Sequence, residues 1–164
     1  MNIRRATADD LQQVYSIYMH EEVVPYLGYD PMPLAQFEPI FRQLLASEIF
    51  DVCEADGQVL GFCKAIRHEG RSHHSALVGP LAVRPDSRGK GIARLLMQNV
   101  IATLKARGVS RIELTAERDN PRAIAFYEKL GFKHEGILRK AYKRATDAHY
   151  TDECLMALLL EDHG

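Results

Sequence analysis

Apolar residues along this chain recur with two periods, and the switches between them lay out the elements. Leu11, Val14, Tyr15 and Tyr18 fall at helical steps and predict a helix running to about His20. Thr7, with Asp10 three residues on, gives that helix a capping-box start, and the run 3–6 before it reads as a short strand. Glu21, Glu22, Pro25, Gly28, Asp30, Pro31 and Pro33 make the next segment a loop. Leu34, Phe37, Phe41, Leu44 and Leu45 predict a second helix, in which Pro39 demands either a late start or a kink. Runs 49–54 and 59–66 read as strands joined across Asp56-Gly57, a strong hairpin signal.

Run 76–83 is another strand, broken at Gly79-Pro80, since proline donates nothing to a ladder and a strand glycine often marks a bulge. Ile92, Leu95, Leu96, Val100 and Leu104 form one face of a third helix that ends near Arg107, with Gly108 as its stop. In strand 111–116, Ile112, Leu114 and Ala116 alternate with Glu113 and Thr115. Asn120-Pro121 opens a fourth helix that Leu130 and Gly131 close. Runs 132–138 and 150–160 end the chain as strands around a loop at 140–149. The order βααβββαβαββ predicts an α/β (α+β) fold, a mixed sheet with helices on its faces, over one domain of residues 1–164.

Composition narrows the partners more than the fold. A chain of 164 residues buries a core without staples. A net charge of -1 argues against a general nucleic-acid binder. The charge is uneven, however: Arg84, Arg88, Lys90, Arg94, Lys105, Arg107 and Arg111 face a single acid, Asp86, between 84 and 111. That excess suits a polyanionic small molecule, or else is a solvated basic face. Cys53, Cys63 and Cys154 are odd in number and form no C-x-x-C pair, so they read as reduced thiols of a cytoplasmic protein. His68, His73 and His74 lack a second ligand cluster with metal spacing, so no metal is expected. No apolar run approaches the roughly 20 residues that span a bilayer, and the N-terminus lacks a signal-peptide run, so no membrane partner is expected.

Candidate chemistry gathers on the turn between Val83 and Arg94. The first N–H groups of a helix have no partner inside it, and the helix dipole favours negative charge there. Gly89 and Gly91 let the backbone bend and another group approach it closely. The turn therefore reads as a seat for a phosphate-bearing ligand, against the alternative of a plain capped turn with surface charge. The pattern G-x-x-x-x-G-K-[ST] is absent, which excludes a P-loop nucleotide hydrolase. On the fourth helix, a step of about 100° per residue puts Asn120, Ala123, Ile124, Tyr127 and Leu130 on one face. This face is either a narrow recess beside a small alanine or a core-facing stripe with Tyr127 buried in it.

The two motifs belong to one pattern. Arg88-Gly-Lys-Gly91-Ile-Ala93, of the form R-x-x-G-x-A, is followed by Asn120-Pro-x-Ala123-x-x-x-Tyr127-x-x-x-Gly131-Phe132. Together they resemble the GCN5-related N-acetyltransferase (GNAT) superfamily, over nearly the whole chain. The ending E-G-I-L-R-K followed by Y-T-D-E-C-L-M-A-L resembles members that acetylate amino acids or the N-termini of ribosomal proteins. The resemblance implies a GNAT fold, with a sheet of about seven strands and about four helices, splayed where acetyl-CoA binds. It implies that the amides of Gly89, Lys90, Gly91, Ile92, Ala93 and Arg94, with the Arg88 side chain, hold the pyrophosphate of acetyl-CoA. Backbone groups of Leu81 and Val83 would pair with the pantetheine arm, in a strand that the Gly79-Pro80 break distorts. Asn120 would hydrogen-bond the cofactor, and Tyr127 would lie near its sulfur as a general acid.

The implied reaction is direct attack of a neutral amine on the acetyl thioester, in which positioning the two reactants and stabilising an oxyanion matter most. A phenol near pKa 10 is a weaker acid than a thiol near about 8.5, so Tyr127 serves better as a strengthening hydrogen bond than as a full proton donor. No glutamate lies on the strand before the turn, where family members often carry a base, which leaves Glu113, Glu117, Glu21 and Glu22 as candidates. A lysine-type amine is neutral in only about one molecule in 2,500 at neutral pH, an α-amine in about one in seven. The missing base therefore favours an α-amino acceptor or proton removal through water. The acceptor implied is an amino acid, a peptide N-terminus or a small amine, with polyamines and amine-bearing drugs as alternative classes. The loops 21–33 and 140–149 would shape its pocket. A non-catalytic acyl-CoA sensor is the competing function, and it has no need of Tyr127. A homodimer is a further expectation if the apolar ending C-L-M-A-L-L-L leaves a sheet edge to pair, the alternative being an interior strand.

Overall fold

The computed structural model describes residues 1–161. Its elements follow the predicted order: β1 (Asn2–Arg5), α1 (Leu11–Tyr18), α2 (Leu34–Ala46), β2 (Ile49–Ala55), β3 (Gln58–Arg67), β4 (Ser75–Val83), α3 (Ile92–Ala106), β5 (Arg111–Glu117), α4 (Pro121–Lys129), β6 (Lys133–Tyr142) and β7 (Thr151–Leu159). The strand order is β1-β2-β3-β4-β5-β7-β6, a seven-stranded mixed sheet. The described residues divide into two compact units, one of Met1–Ile66 with Val78–Leu104, the other of Arg67–Leu77 with the described residues from Lys105 onward.

In the first unit, strand alternation assigns a helix layer to each face. Phe50 and Val52 of β2 and Phe62 of β3 pack with Val14, Ile17 and Tyr18 of α1 and with Phe37 and Phe41 of α2. The Tyr18 ring stacks on Phe62 with centroids 5.9 Å apart. Residues of opposite parity meet α3 instead. Asn99 donates to Asp51 Oδ2 at 3.1 Å, and a Cβ at Gly61 would lie 3.2 Å from Ile92 and 2.7 Å from the Ala82 carbonyl. Gly61 is thus required by close approach of β4 to β3. The β2–β3 hairpin turns at Asp56 and Gly57, both with positive φ (52 and 75), as the Asp-Gly pair predicts. Helix α2 starts at Leu34 and continues through Pro39, so it does not begin late.

The predicted capping box is present, on a 3-10 turn, Ala8–Asp10, that leads into α1. Arg4 donates to both oxygens of Asp10 at 2.8 Å, and the Thr7 N–H donates to Asp10 Oδ2 at 2.8 Å. Asp10 is only 4% exposed. The Arg4 guanidinium, against the opposing effect of burial, and then the Thr7 N–H hold its carboxyl below the ordinary value of 3.8. A folded-state pKa below the unfolded one gives stability that is present above the unfolded value and lost as pH falls through the folded one. Asp10→Asn is therefore expected to cost about 2 kcal/mol at neutral pH. Chemical denaturation should show that cost shrinking as the pH falls below 3.8.

In the second unit, β5 shows the predicted alternation, with Ile112, Leu114 and Ala116 buried. The parallel ladder of β4 with β5 covers Ser75↔Arg111, Ala76↔Ile112 and Leu77↔Glu113. Strand β7 pairs with β5 on one side and β6 on the other, so the apolar ending is interior and offers no edge. The edge strand is β6, and it runs past the predicted end at 138 to Tyr142, shortening the expected 140–149 loop. The register shifts between Leu138 and Tyr142, where Lys140 takes φ 52 and donates its N–H to Asp152 Oδ1 at 2.8 Å. An edge bulge carrying Arg139 and Lys140 breaks the apolar pattern that a sequence reading follows.

Candidate active site

The β4–α3 turn is built to free backbone N–H groups. Pro85–Ser87 makes one 3-10 turn, closed by Ser87 N–H to Arg84 O at 2.9 Å, and Ser87 is buried beneath it. Gly89 and Gly91 then take φ of 79 and 78, conformations that side chains rarely adopt. A Cβ at either would meet nothing within 4 Å, so the space over the turn is open to a ligand. The Leu95 N–H makes the first helical bond, to Gly91 O at 3.0 Å. The amides of Ile92, Ala93 and Arg94 therefore belong to the first turn of α3, where N–H groups lack helical acceptors.

Upstream, the Arg84 N–H donates to Leu60 O of β3 at 2.8 Å. Backbone groups alternate sides along a strand, so Leu81 and Val83 turn theirs away from β3. At the predicted break in this strand, Gly79 has φ 135.

Around the turn the charges are braced. Arg84 Nε donates to Asp86 Oδ1 at 2.6 Å and its NH1 to Gln58 at 2.8 Å. Arg88 donates to the Glu22 carbonyl at 3.3 Å, with the Glu22 carboxylate 3.7 Å from its other nitrogen. These arginines border an open cleft of about 710 Å³ that Gln12, Ser16, His20 and Glu22 also line. The sequence carried no signal that Gln58 of β3 would partner Arg84, or that Glu22 in the segment after α1 would partner Arg88.

In the second unit, Asn120 is the N-cap of α4, its Oδ1 accepting the Ala123 N–H at 3.2 Å. The other end closes with a Schellman pattern, Gly131 N–H to Glu128 O at 3.0 Å and Phe132 N–H to Tyr127 O at 3.1 Å, with Gly131 at φ 99. No residue of α4 is fully buried, Tyr127 included. Asn120, Ala123, Ile124, Tyr127 and Leu130 are half-buried, while Arg122, Ala125 and Lys129 are exposed, as the angular spacing predicts. The Tyr127 ring is held edge-on between Phe126 at 5.2 Å and Phe132 at 5.9 Å.

The candidate bases separate by environment. Glu113 lies 2.6 Å from His68 Nε2 and accepts from Arg111 at 3.0 Å. Burial pushes its carboxyl up, but these two partners outweigh it and hold the pKa below the ordinary 4.5, which makes Glu113 a poor proton acceptor. Glu117 is raised, chiefly by burial, with the Arg144 charge opposing. Its Oε1 accepts from both Tyr142 and Arg144. Glu22 is engaged with Arg88. Among the described residues, no group of three or more His, Cys, Asp or Glu side chains could hold a metal ion. No helix among them is long and apolar enough to cross a membrane.

Residues 11–132 match the model of the Acetyltransferase (GNAT) family. An N-acetyltransferase from Staphylococcus aureus Mu50 is 28% identical, with a TM-score of 0.79 over 98% of each chain. The ribosomal-protein-S18-alanine N-acetyltransferase from Escherichia coli is 25% identical, with a TM-score of 0.77 over 99% of this chain and 96% of that one. A phosphinothricin acetyltransferase from Sinorhizobium meliloti, solved in complex with AcCoA, shares the fold at 22% identity, with a TM-score of 0.80 over 97% of this chain and 88% of that one. With a twin-glycine turn opening α3, an Asn-capped α4 and a family match spanning both, this chain belongs to the Acetyltransferase (GNAT) family.

Proposed function

We propose that this chain is an acetyl-CoA-dependent N-acetyltransferase that acts on a primary amine, of an amino acid, a peptide N-terminus or a small molecule, by direct attack in a ternary complex. The observation that carries the reading is the turn itself: two glycines at φ 79 and 78, open space above both, and the first amides of α3 beside Arg88. Those features fit a pyrophosphate, which asks for several N–H donors, close backbone approach and a cation. The bound thioester supplies the activated acetyl group. In this proposal Gly89 to Arg94 and Arg88 anchor the pyrophosphate, and Leu81 and Val83 pair with the pantetheine arm. Asn120 keeps α4 in register and hydrogen-bonds the cofactor, and Tyr127 donates a hydrogen bond to the departing sulfur.

Proton removal from the amine is left to water or to an acceptor of low pKa, because Glu113 is held down and Glu117 already serves two donors. That favours α-amines over lysine-type amines. A cytoplasmic location belongs to the same proposal, supported by three free, buried cysteines. A sensor that binds acyl-CoA without turnover is the second reading, and the retained Tyr127 favours catalysis over it. The test is calorimetric titration with CoA beside a thiol-release assay over a panel of amines. Amine-dependent release supports the enzyme, whereas tight CoA binding with no release for any amine supports the sensor.

A further inference from the structure

We propose that Glu117 is a positioning residue that clamps the β6–β7 connection and so sets affinity for the amine acceptor, an inference that rests on the acetyltransfer reading above. Glu117 is the last residue of β5, and its side chain is 12% exposed. Its Oε1 accepts from the Tyr142 hydroxyl, at the end of β6, and from Arg144, the second residue beyond that strand. Arg144 also donates to the Tyr142 hydroxyl at 2.8 Å, and its guanidinium lies 5.1 Å from the centre of that ring. The segment then closes on itself. Asp147 accepts from Arg144 NH1 and from the Arg144 N–H, both at 3.1 Å, and Asp147 N–H returns to Arg144 O at 3.0 Å. One carboxylate thus fixes where a bulged edge strand ends and which way the following segment leaves.

Stability alone gives no reason for a charge at this position. Burial raises the Glu117 carboxyl, Arg144 opposes the rise, and Glu153, Asp147 and Asp119 add to it. A folded-state pKa above the unfolded one contributes stability below the unfolded value, near 4.5, and loses it as pH rises through the folded value. Ionising Glu117 therefore costs the fold rather than stabilising it, yet its carboxyl organises two donors from the connection, which fits a role in geometry.

The test compares Glu117→Ala, Glu117→Gln and Tyr142→Phe with the wild-type chain. Tryptic cleavage after Lys143 and Arg144 reports the clamp without reference to activity. Glu117→Ala should be cut there about tenfold faster and should raise the acceptor KM about tenfold, with kcat and CoA affinity within about twofold. Glu117→Gln should stay near wild type in cleavage and KM, because its amide oxygen still accepts from both donors, and should melt no lower at neutral pH. Tyr142→Phe should shift cleavage and KM in the direction of Glu117→Ala, and it judges the clamp should the alanine variant fail to fold. Unchanged cleavage in both Glu117→Ala and Tyr142→Phe would overturn the clamp. A fall in kcat at constant KM, shared by Glu117→Gln, would make Glu117 a proton acceptor and overturn the positioning role. A wild-type chain that turns over no amine would count against the acetyltransfer reading, while cleavage would still judge the clamp.

Discussion

Tyr127→Phe is expected to lower kcat about a hundredfold while leaving CoA affinity within about twofold. The substitution keeps the ring, and with it the edge-on contacts to Phe126 and Phe132 and the backbone bond from Phe132 N–H to Tyr127 O. Packing is thus preserved and only the hydroxyl is removed. General-acid groups contribute typically 10²–10⁴-fold, and the lower end applies because a phenol near pKa 10 is a weaker acid than the thiol it would serve. Such a hydrogen bond strengthens as charge grows on sulfur, so its loss shows in kcat rather than in binding. Equal losses of kcat and CoA affinity would make Tyr127 a packing residue.

Gly91→Val is expected to weaken CoA binding about a hundredfold, from the loss of two charge-assisted amide bonds at about 1.5 kcal/mol each. At φ 78 a β-branched residue cannot hold the turn without strain, and its side chain would fill the open space above the α3 amides. The same strain should cost the fold about 1–2 kcal/mol, so binding is to be measured well below the melting transition. Gly28→Ala is the control, since a Cβ there also meets nothing within 4 Å and its φ lies outside the left-handed range. CoA affinity within about threefold of wild type in Gly91→Val would remove the turn from the cofactor site.

Much of this was legible from the chain because local rules carry it. Asp-Gly predicted the β2–β3 turn, Thr7 with Asp10 the first cap, and Asn120 with Gly131 both ends of α4. The spacing of Asn120, Ala123, Ile124, Tyr127 and Leu130 marked the half-buried face of α4. What the spacing could not show is that this face has no fully buried residue, because burial depends on what covers the helix. The end of β6 was missed for the opposite reason. Arg139 and Lys140 look like loop residues, and the pairing of Tyr142 with Thr151 that extends the strand skips a bulge.

Long-range ion partners were equally silent. Glu117 finds Arg144 27 residues on and Tyr142 25 residues on, while Arg88 reaches back 66 residues to Glu22. Surface charges pair at such separations by topology rather than by motif. The environments of Glu113 and Glu117 follow from the same cause: two outward positions of one strand, with Thr115 between them, carry opposite pKa shifts because different elements supply their neighbours.

Direct acetyl transfer from acetyl-CoA to a primary amine is decided by initial rates of thiol release, measured while acetyl-CoA and an α-amine acceptor are both varied. Release should depend on the amine, with reciprocal plots that intersect and a matching acetylated product. Release that ignores every amine, or parallel plots denoting an acetylated enzyme, would contradict it.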